Sequence, residues 1–499
     1  ATLGALHHDT LTCASNLSVA LVTNGKLEKA EALARRTLER QDAAMGPLHL
    51  DALSCAENLG TCLRLQGRFD EAAPLLQRAL EGFEATVGAT NSVTLRAAFQ
   101  VAQLHLESGA PAEAALHFRR ALDGFSATLG PHDLLTLQAA EALAGALSVV
   151  QGTRAEAVPV LQQLIAGLEA TRGATHSETL ASVFELAKLL RALNRLDECE
   201  PLLRRVLKGY EAAAGTADCN TMVVAFDLAV ILYLQRKLPE AEAITRRVVA
   251  QREAAFGPAH ADTLEACLGL AKMLTSQRKY SEAEPLYRRA VAGLEATLGP
   301  SARSTLLTLG ELAEVLAALG KLGEAEVALR RVLAGLEATL GMGSPQTLSS
   351  GANLCECLIA LGKIAEAEVV QRLVVAGVDA ALGPRSPQAV NAADCLAKLL
   401  TRQGKLAEAE PLLRRVLKVL PTFPGTGRKA LEAMLRLAVV LNALQRPAEA
   451  APLFAHLLST YTGVLGAAHP HTIEVARLAS ANRDAVDRLN NAPPASIGV

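Results

Sequence analysis

The sequence predicts an all-α protein, an array of about eleven antiparallel helical hairpins closed by one further helix, and three observations carry that prediction. A glycine returns every 42 residues, at Gly4, Gly46, Gly88, Gly130, Gly173, Gly215, Gly257, Gly299, Gly341, Gly383, Gly425 and Gly466, with one extra residue before Gly152 and one missing before Ala430. Six residues after most of these glycines stands a Thr-Leu pair or its equivalent, as at Thr10-Leu11, Thr94-Leu95, Thr136-Leu137, Thr179-Leu180, Thr263-Leu264, Thr305-Leu306 and Thr347-Leu348. Two further positions in each unit are always small. Self-similarity at a fixed period of this size is the mark of stacked repeats, which overrides the expectation of several separate domains in a chain of 499 residues.

Composition agrees with helix. Half of the residues are apolar, 20% are charged, aromatics are 3% and Trp is absent. Such a mixture, led by Ala and Leu, favours helix over strand and leaves ample material for a core. The formal net charge is −2, with Lys and Arg spread at regular intervals, so no basic face for nucleic acid or anionic lipid emerges. The longest apolar runs, such as Leu228–Leu234, fall far short of the roughly 20 residues that cross a bilayer. Nine cysteines, an odd number without a CxxC pair, read as reduced thiols mostly on core-facing helix positions, which points to an intracellular, reducing compartment, the cytoplasm before an organelle.

The elements follow in order. Residues 1–9 begin with Ala and without a signal segment, and they read as a loop remnant of a longer or processed chain, with an upstream segment covering the first hairpin. Each first helix opens at its Thr-Leu pair, with Asp9, Asn220 or Asp262 at or beside the start as acceptors for the free amides of the first turn. It stops at a turn such as Gly25-Lys26, Gly67-Arg68, Gly320-Lys321, Gly362-Lys363 or Gly404-Lys405, where Gly enters the left-handed region that ends a helix. A second, longer helix, for example Leu406–Leu420, runs to the next recurring glycine. Two helices joined by a short turn make an antiparallel hairpin.

Close packing inside the hairpin is written into the small positions. The first helix carries Ser18, Gly60, Ala102, Ala144, Ala187, Ala229, Ala271, Ala313, Cys355, Ala397 and Ala438, and the second carries Ala30, Ala72, Ala114, Ala157, Cys199, Ala241, Ala283, Ala325, Ala367, Ala409 and Ala450. A large side chain at either site would hold the helices apart. This spacing of small residue, turn and Ala resembles the tetratricopeptide repeat, in the 42-residue form of kinesin light chains. It is clearest in Asn58-Leu59-Gly60 with Gly67-Arg68-Phe69-Asp70-Glu71-Ala72, and in Gly320-Lys321 with Glu324-Ala325-Glu326. The resemblance covers nearly the whole chain and implies a right-handed superhelix, an α-solenoid with first helices lining its concave wall. A lone hairpin leaves an apolar face uncovered, so each unit depends on its neighbours.

The array is expected over residues 10–471, with a bend at 419–429 where Pro421 and Pro424 cut the tenth second helix short by about a turn. Residues 472–489 read as a capping helix whose Arg477, Asn482, Arg483, Asp484, Asp487 and Arg488 face water. A disordered tail is expected over 490–499.

Several features could carry chemistry and have plainer readings. The pairs Arg35-Arg36, Arg119-Arg120, Arg204-Arg205, Arg246-Arg247, Arg288-Arg289, Arg330-Arg331 and Arg414-Arg415 suggest a phosphate reader, but Glu31, Glu200, Glu242, Glu284, Glu326 and Glu410 stand four residues upstream, the spacing of helical ion pairs. His7, His49, His176, His260 and His469 recur at one loop position, about a repeat width apart and so unable to share an ion with bonds near 2 Å, which leaves loop packing. Cys355 and Cys357 form a CxC without matching ligands, and Gly425-Thr426-Gly427-Arg428-Lys429 lacks the full phosphate-loop pattern. No catalytic, metal or cofactor site is expected.

The resemblance places a partner groove at positions two before, two after and five after the helical Leu that precedes the small site. In the middle units these are Phe184, Lys188 and Arg191, then Phe226, Val230 and Tyr233, then Leu268, Lys272 and Thr275. Aromatic and basic groups together suit an extended partner segment carrying acidic and aromatic residues, whereas packing between neighbouring first helices is the plain alternative. Kinesin light chains place a backbone-clamping Asn just before the helical Leu. Here only Asn16, Asn58 and Asn353 keep it, against Gln100, Ala142, Glu185, Asp227, Gly269, Glu311, Cys395 and Arg436 elsewhere, so motor-cargo binding does not carry over. The expected function is a non-catalytic scaffold or adaptor that binds protein segments in its groove. A structural subunit docked onto a large multiprotein complex, and the regulatory half of a longer signalling protein, are the alternatives.

Overall fold

Each recurring glycine from Gly46 to Gly383, and Gly466, follows a second helix with a positive φ, +91° at Gly46 for instance, a conformation that residues with a Cβ adopt only at a cost. Six residues on, the Thr hydroxyl donates to that glycine's carbonyl, as from Thr94 to Gly88 (2.8 Å) and from Thr263 to Gly257 (2.9 Å). The Leu of the pair packs against a glycine inside the following second helix. A Cβ at Gly293 would lie 2.1 Å from Leu264 Cδ1, so the residue pair and the helical glycine fit one another.

A computed structural model describes residues 7–150, 152–420 and 427–490. Those residues form helices and no strand. Contacts divide the chain into two units, one to Ala255 and one from Phe256. The first holds α1 (His8–Thr23), α2 (Leu27–Met45), α3 (Leu50–Leu65), α4 (Phe69–Val87), α5 (Ser92–Glu107), α6 (Pro111–Thr128), α7 (Leu134–Val149), α8 (Arg154–Arg172), α9 (Ser177–Ala192), α10 (Leu196–Ala214), α11 (Cys219–Leu234) and all but the last residue of α12 (Leu238–Phe256). The second holds α13 (Ala261–Ser276), α14 (Tyr280–Leu298), α15 (Arg303–Ala318), α16 (Leu322–Leu340), α17 (Pro345–Ala360), α18 (Ile364–Leu382), α19 (Pro387–Arg402), α20 (Leu406–Val419), α21 (Gly427–Ala443), α22 (Pro447–Leu465) and α23 (Pro470–Asn490). Within each unit second helices pack on their own first helix and on the next one, as α4 does on α3 and α5 and α16 on α15 and α17. The small sites are where the helices of a hairpin meet: Ala30, Ala72, Ala241, Ala283, Ala313 and Ala325 are fully buried. Asn194, Arg236, Arg278 and Gln445 replace the turn glycine and keep its left-handed φ near 60°.

Three expectations change. First helices begin two or three residues earlier than their Thr-Leu pair, so Asp9 and Asp262 lie inside the first turn and Asn220 inside α11. The recurring loop histidines are the N-caps: Nδ1 of His49, His176 and His260 accepts the amide of the residue two positions on, at 3.2, 3.3 and 3.2 Å. Asn91, Asp133, Asp218, Ser344 and Ser386 do the same work elsewhere, satisfying an otherwise orphaned donor. Asn482, expected to face water, is buried with Thr472 and Val475 on the side of α23 that meets α22. Gly4, Pro421, Pro424 and the tail beyond Asn490 lie outside the described residues.

The arginine pairs do more than pair within a helix. Arg204 holds Glu200 at 2.9 Å and also Glu240 of the next second helix at 2.8 Å; Arg288 likewise holds Glu284 (2.9 Å) and Glu324 (2.6 Å). The second arginine reaches back, Arg205 to Glu169 (2.6 Å) and to the Ala174 carbonyl (3.0 Å). Turn lysines complete the ladder, Lys237 on Glu200, Lys321 on Glu284, Lys363 on Glu326 and Lys405 on Glu368, at 2.6 to 2.8 Å. These lysines, then the arginines, hold the four carboxylates below the ordinary value of 4.5, and Glu368 is pushed down to about 2.

Two outcomes are expected. Ala313→Leu, at a fully buried contact, lowers stability by about 1–3 kcal/mol or more in urea unfolding, whereas Ala318→Leu at an exposed position of α15 leaves it nearly unchanged. Because the folded carboxylates bind protons less readily than the unfolded chain, their stabilisation is complete above about pH 4.5 and is lost as the pH falls toward 2. Acid titration followed by circular dichroism checks this, and Glu368→Gln should flatten that decline.

Candidate functional site

The groove positions lie on first helices whose opposite side is committed to the core. On α9, Leu186, Ala187, Leu189 and Leu190 are buried, which leaves Phe184 half-buried and Arg191 exposed on the other face. The Lys188 ammonium sits 5.1 Å from the Phe184 ring centroid and 2.5 Å from Glu185. Arg191 reaches across to Asp227 of α11 at 2.6 Å. Phe226, also half-buried, lies 5.0 Å from the guanidinium of Arg252 on α12, and Tyr233 is half-buried near the end of α11. Such aromatic-cation contacts contribute about 0.5–2 kcal/mol depending on desolvation.

The first unit therefore brings Phe184, Lys188, Arg191, Phe226 and Tyr233 onto neighbouring first helices. Lys272 belongs to the second unit, where it pairs with Glu311 of α15 at 2.9 Å. The three asparagines are not equivalent. Asn16 is exposed on α1, Asn58 donates to Ser15 Oγ at 3.2 Å, and Asn353 donates to Glu314 at 2.8 Å. Two of these side chains thus brace adjacent first helices.

Sequence reasoning missed the acidic half of this surface. Glu185, Asp227 and Glu311, which replace the clamping Asn, receive Lys188, Arg191 and Lys272. The signal was present as opposite charges three, 36 and 39 residues apart, the latter two being first-helix neighbours once the period is known. Arg252, only 4% exposed, had no such signal because it lies on a second helix.

The buried cysteines serve packing. At the small sites Cys199 Sγ donates to the Ala187 carbonyl (3.1 Å) and Cys355 Sγ to that of Ala367 (3.7 Å), an exchange of Cys and Ala between the two helices. Burial pushes both thiols up to about 11. Cys357 donates instead to Leu322 (3.4 Å), so the CxC thiols diverge. Cys13, Cys219 and Cys395 are exposed.

Models of the tetratricopeptide repeat match residues 10–51, 51–127, 181–205, 220–296, 268–338 and 396–463, together well over half of the chain. The chain is a tetratricopeptide repeat protein. Members of this family generally act as non-catalytic scaffolds that bind proteins or peptides. Among solved structures, the nearly identical TPR-like repeats of a candidate kinesin light chain from Podosopora anserina share 22% identity, with 42% of this chain and 98% of that one covered and a TM-score of 0.38. BtubC (BKLC) from P. vanneervenii shares 14% over 56% and 96% (TM-score 0.34). The C-terminal part of a TPR repeat-containing protein from Cytophaga hutchinsonii shares 12% over 59% and 99% (TM-score 0.43). No curated protein matches. Among the described residues of this repeat protein no helix is long and apolar enough to cross a membrane.

Thiol labelling of the native repeat protein, mapped by mass spectrometry, should modify Cys13 and Cys219 and spare Cys199 and Cys355 until denaturant is added. Modification of Cys199 under native conditions would contradict its place between the helices.

Proposed function

We propose that this repeat protein is a non-catalytic scaffold that receives an extended partner segment on the first helices of its first unit, at Phe184, Lys188, Arg191, Phe226 and Tyr233; within the second unit, Lys272 is the corresponding proposed contact on its own first helices. The observation that carries the reading is the adjacency, in a chain with few aromatics, of three partly exposed rings and two cations on α9 and α11. Rings offer stacking area, and an acidic partner residue can take the place of Glu185 on Lys188 or of Asp227 on Arg191. Asn16, Asn58 and Asn353 are the proposed backbone clamps, the last two exchanging their present acceptors for a peptide carbonyl.

A second reading has its own support. Val327 on α16 and Val369 and Leu373 on α18 are 70%, 61% and 47% exposed, an apolar strip on second helices that suits docking of the other face onto a large assembly.

Affinity capture with the intact chain and quantitative mass spectrometry separates the two. Under the groove reading, Lys188→Glu with Arg191→Glu and, separately, Phe226→Ala reduce captured partners at least about tenfold with circular dichroism unchanged. Retention by these variants together with loss in Val369→Asp would favour docking through the second helices.

A further inference from the structure

Between α3 and α5 the first-helix wall is stitched by side chains. Arg96 donates to both oxygens of Glu57 (3.1 and 2.9 Å), Arg64 pairs with Glu107, and Thr61 Oγ1 donates to Gln100 (3.4 Å). The seam between α7 and α9 has the same positions with every stitch removed. Counted from the helix starts, Glu57 corresponds to Glu141 and Arg96 to Ala181; Arg64 corresponds to Ser148 and Glu107 to Ala192; Thr61 corresponds to Gly145 and Gln100 to Glu185. Among the described residues no side-chain hydrogen bond or ion pair joins α7 to α9, and the exposed Glu141 carboxylate has no partner.

An open slot of about 980 Å³ takes the place of the stitches. Leu161, Leu164 and Leu168 of α8 form its floor with Leu137 and Leu189, none more than 7% exposed. A Cβ on Gly145 would meet nothing within 4 Å. Three cations line it and all are engaged: Lys188 on Glu185 (2.5 Å), Arg172 on Glu178, and Arg154 through its Nε on the Ser148 carbonyl (3.2 Å). The slot therefore has a leucine floor, an unpaired carboxylate, and the outline of the arginine present two seams earlier, between α3 and α5.

We propose that this slot takes an arginine side chain of the bound partner segment, its aliphatic stem on the leucine floor and its guanidinium on Glu141, as Arg96 lies on Glu57. The inference rests on the groove reading above. A guanidinium suits the site better than an ammonium because its fork meets both carboxylate oxygens while the stem covers apolar surface.

The probe is acetyl-Leu-Arg-Leu-amide, titrated into the full chain and read from leucine methyl shifts by NMR. Saturable shifts are expected at Leu137, Leu161 and Leu189. The citrulline analogue, equal in shape but uncharged, should bind about tenfold more weakly, as should the arginine peptide to Glu141→Gln. Ala181→Arg, which supplies the missing guanidinium from the chain itself, should abolish the shifts and raise the unfolding temperature; both substitutions are at exposed positions. Absence of saturable shifts, equal binding of the two peptides, or binding that survives Ala181→Arg overturns the proposal. Captured partners lost in Phe226→Ala but retained in Ala181→Arg would sink the slot and leave the groove standing, whereas insensitivity to Phe226→Ala would sink the groove reading itself.

Discussion

Everything in this molecule depends on how closely the two helices of a hairpin approach each other. With Ala, Gly, Ser or Cys on both sides of the contact, the backbones draw near enough for the flanking leucines to interdigitate. The pair then presents an apolar face too large to leave in water, which only the next hairpin can cover. Cys199 and Cys355 show how strict the contact is. Each thiol is tolerated where the opposite residue is Ala, and each donates its proton to that residue's carbonyl, so a slightly larger group is accepted by becoming part of the interface.

Charge organises the faces that packing leaves over. On second helices a glutamate accepts from an arginine in its own repeat and from a turn cation in the next, giving a ladder that ties successive hairpins at their outer edge. First helices are tied less uniformly. Arg191 with Asp227 and Lys272 with Glu311 are links of the same kind, but the α7–α9 seam has none. Variation in those links, on a constant backbone, is what lets one place in a repeat array differ chemically from another.

The groove residues illustrate how a sequence reading can find positions and miss their state. Periodicity placed Phe184, Lys188, Arg191, Phe226 and Tyr233 on the face opposite the core, since the buried Leu and Ala of the same helices leave no other side for them. It could not show that Arg191 and Lys272 are already paired, because their partners lie 36 and 39 residues away and become neighbours only when repeats stack, whereas Lys188 has its partner three residues away on its own helix. The loop histidines were misjudged for a related reason. Imidazole is an uncommon cap, and its Nδ1 meets the second amide of the helix only because the backbone before it is extended.

The amino-acid sequence by itself determined the all-α class, the 42-residue period, the hairpin turns and the contact sites inside each hairpin, because these arise from local preferences and from spacings within a single repeat. Tertiary structure alone decided which charges meet across repeats, which asparagines are occupied, and where the wall is open. Those outcomes depend on side chains from different repeats converging on one surface. No local pattern encodes that convergence, even though each contributing residue is in plain view.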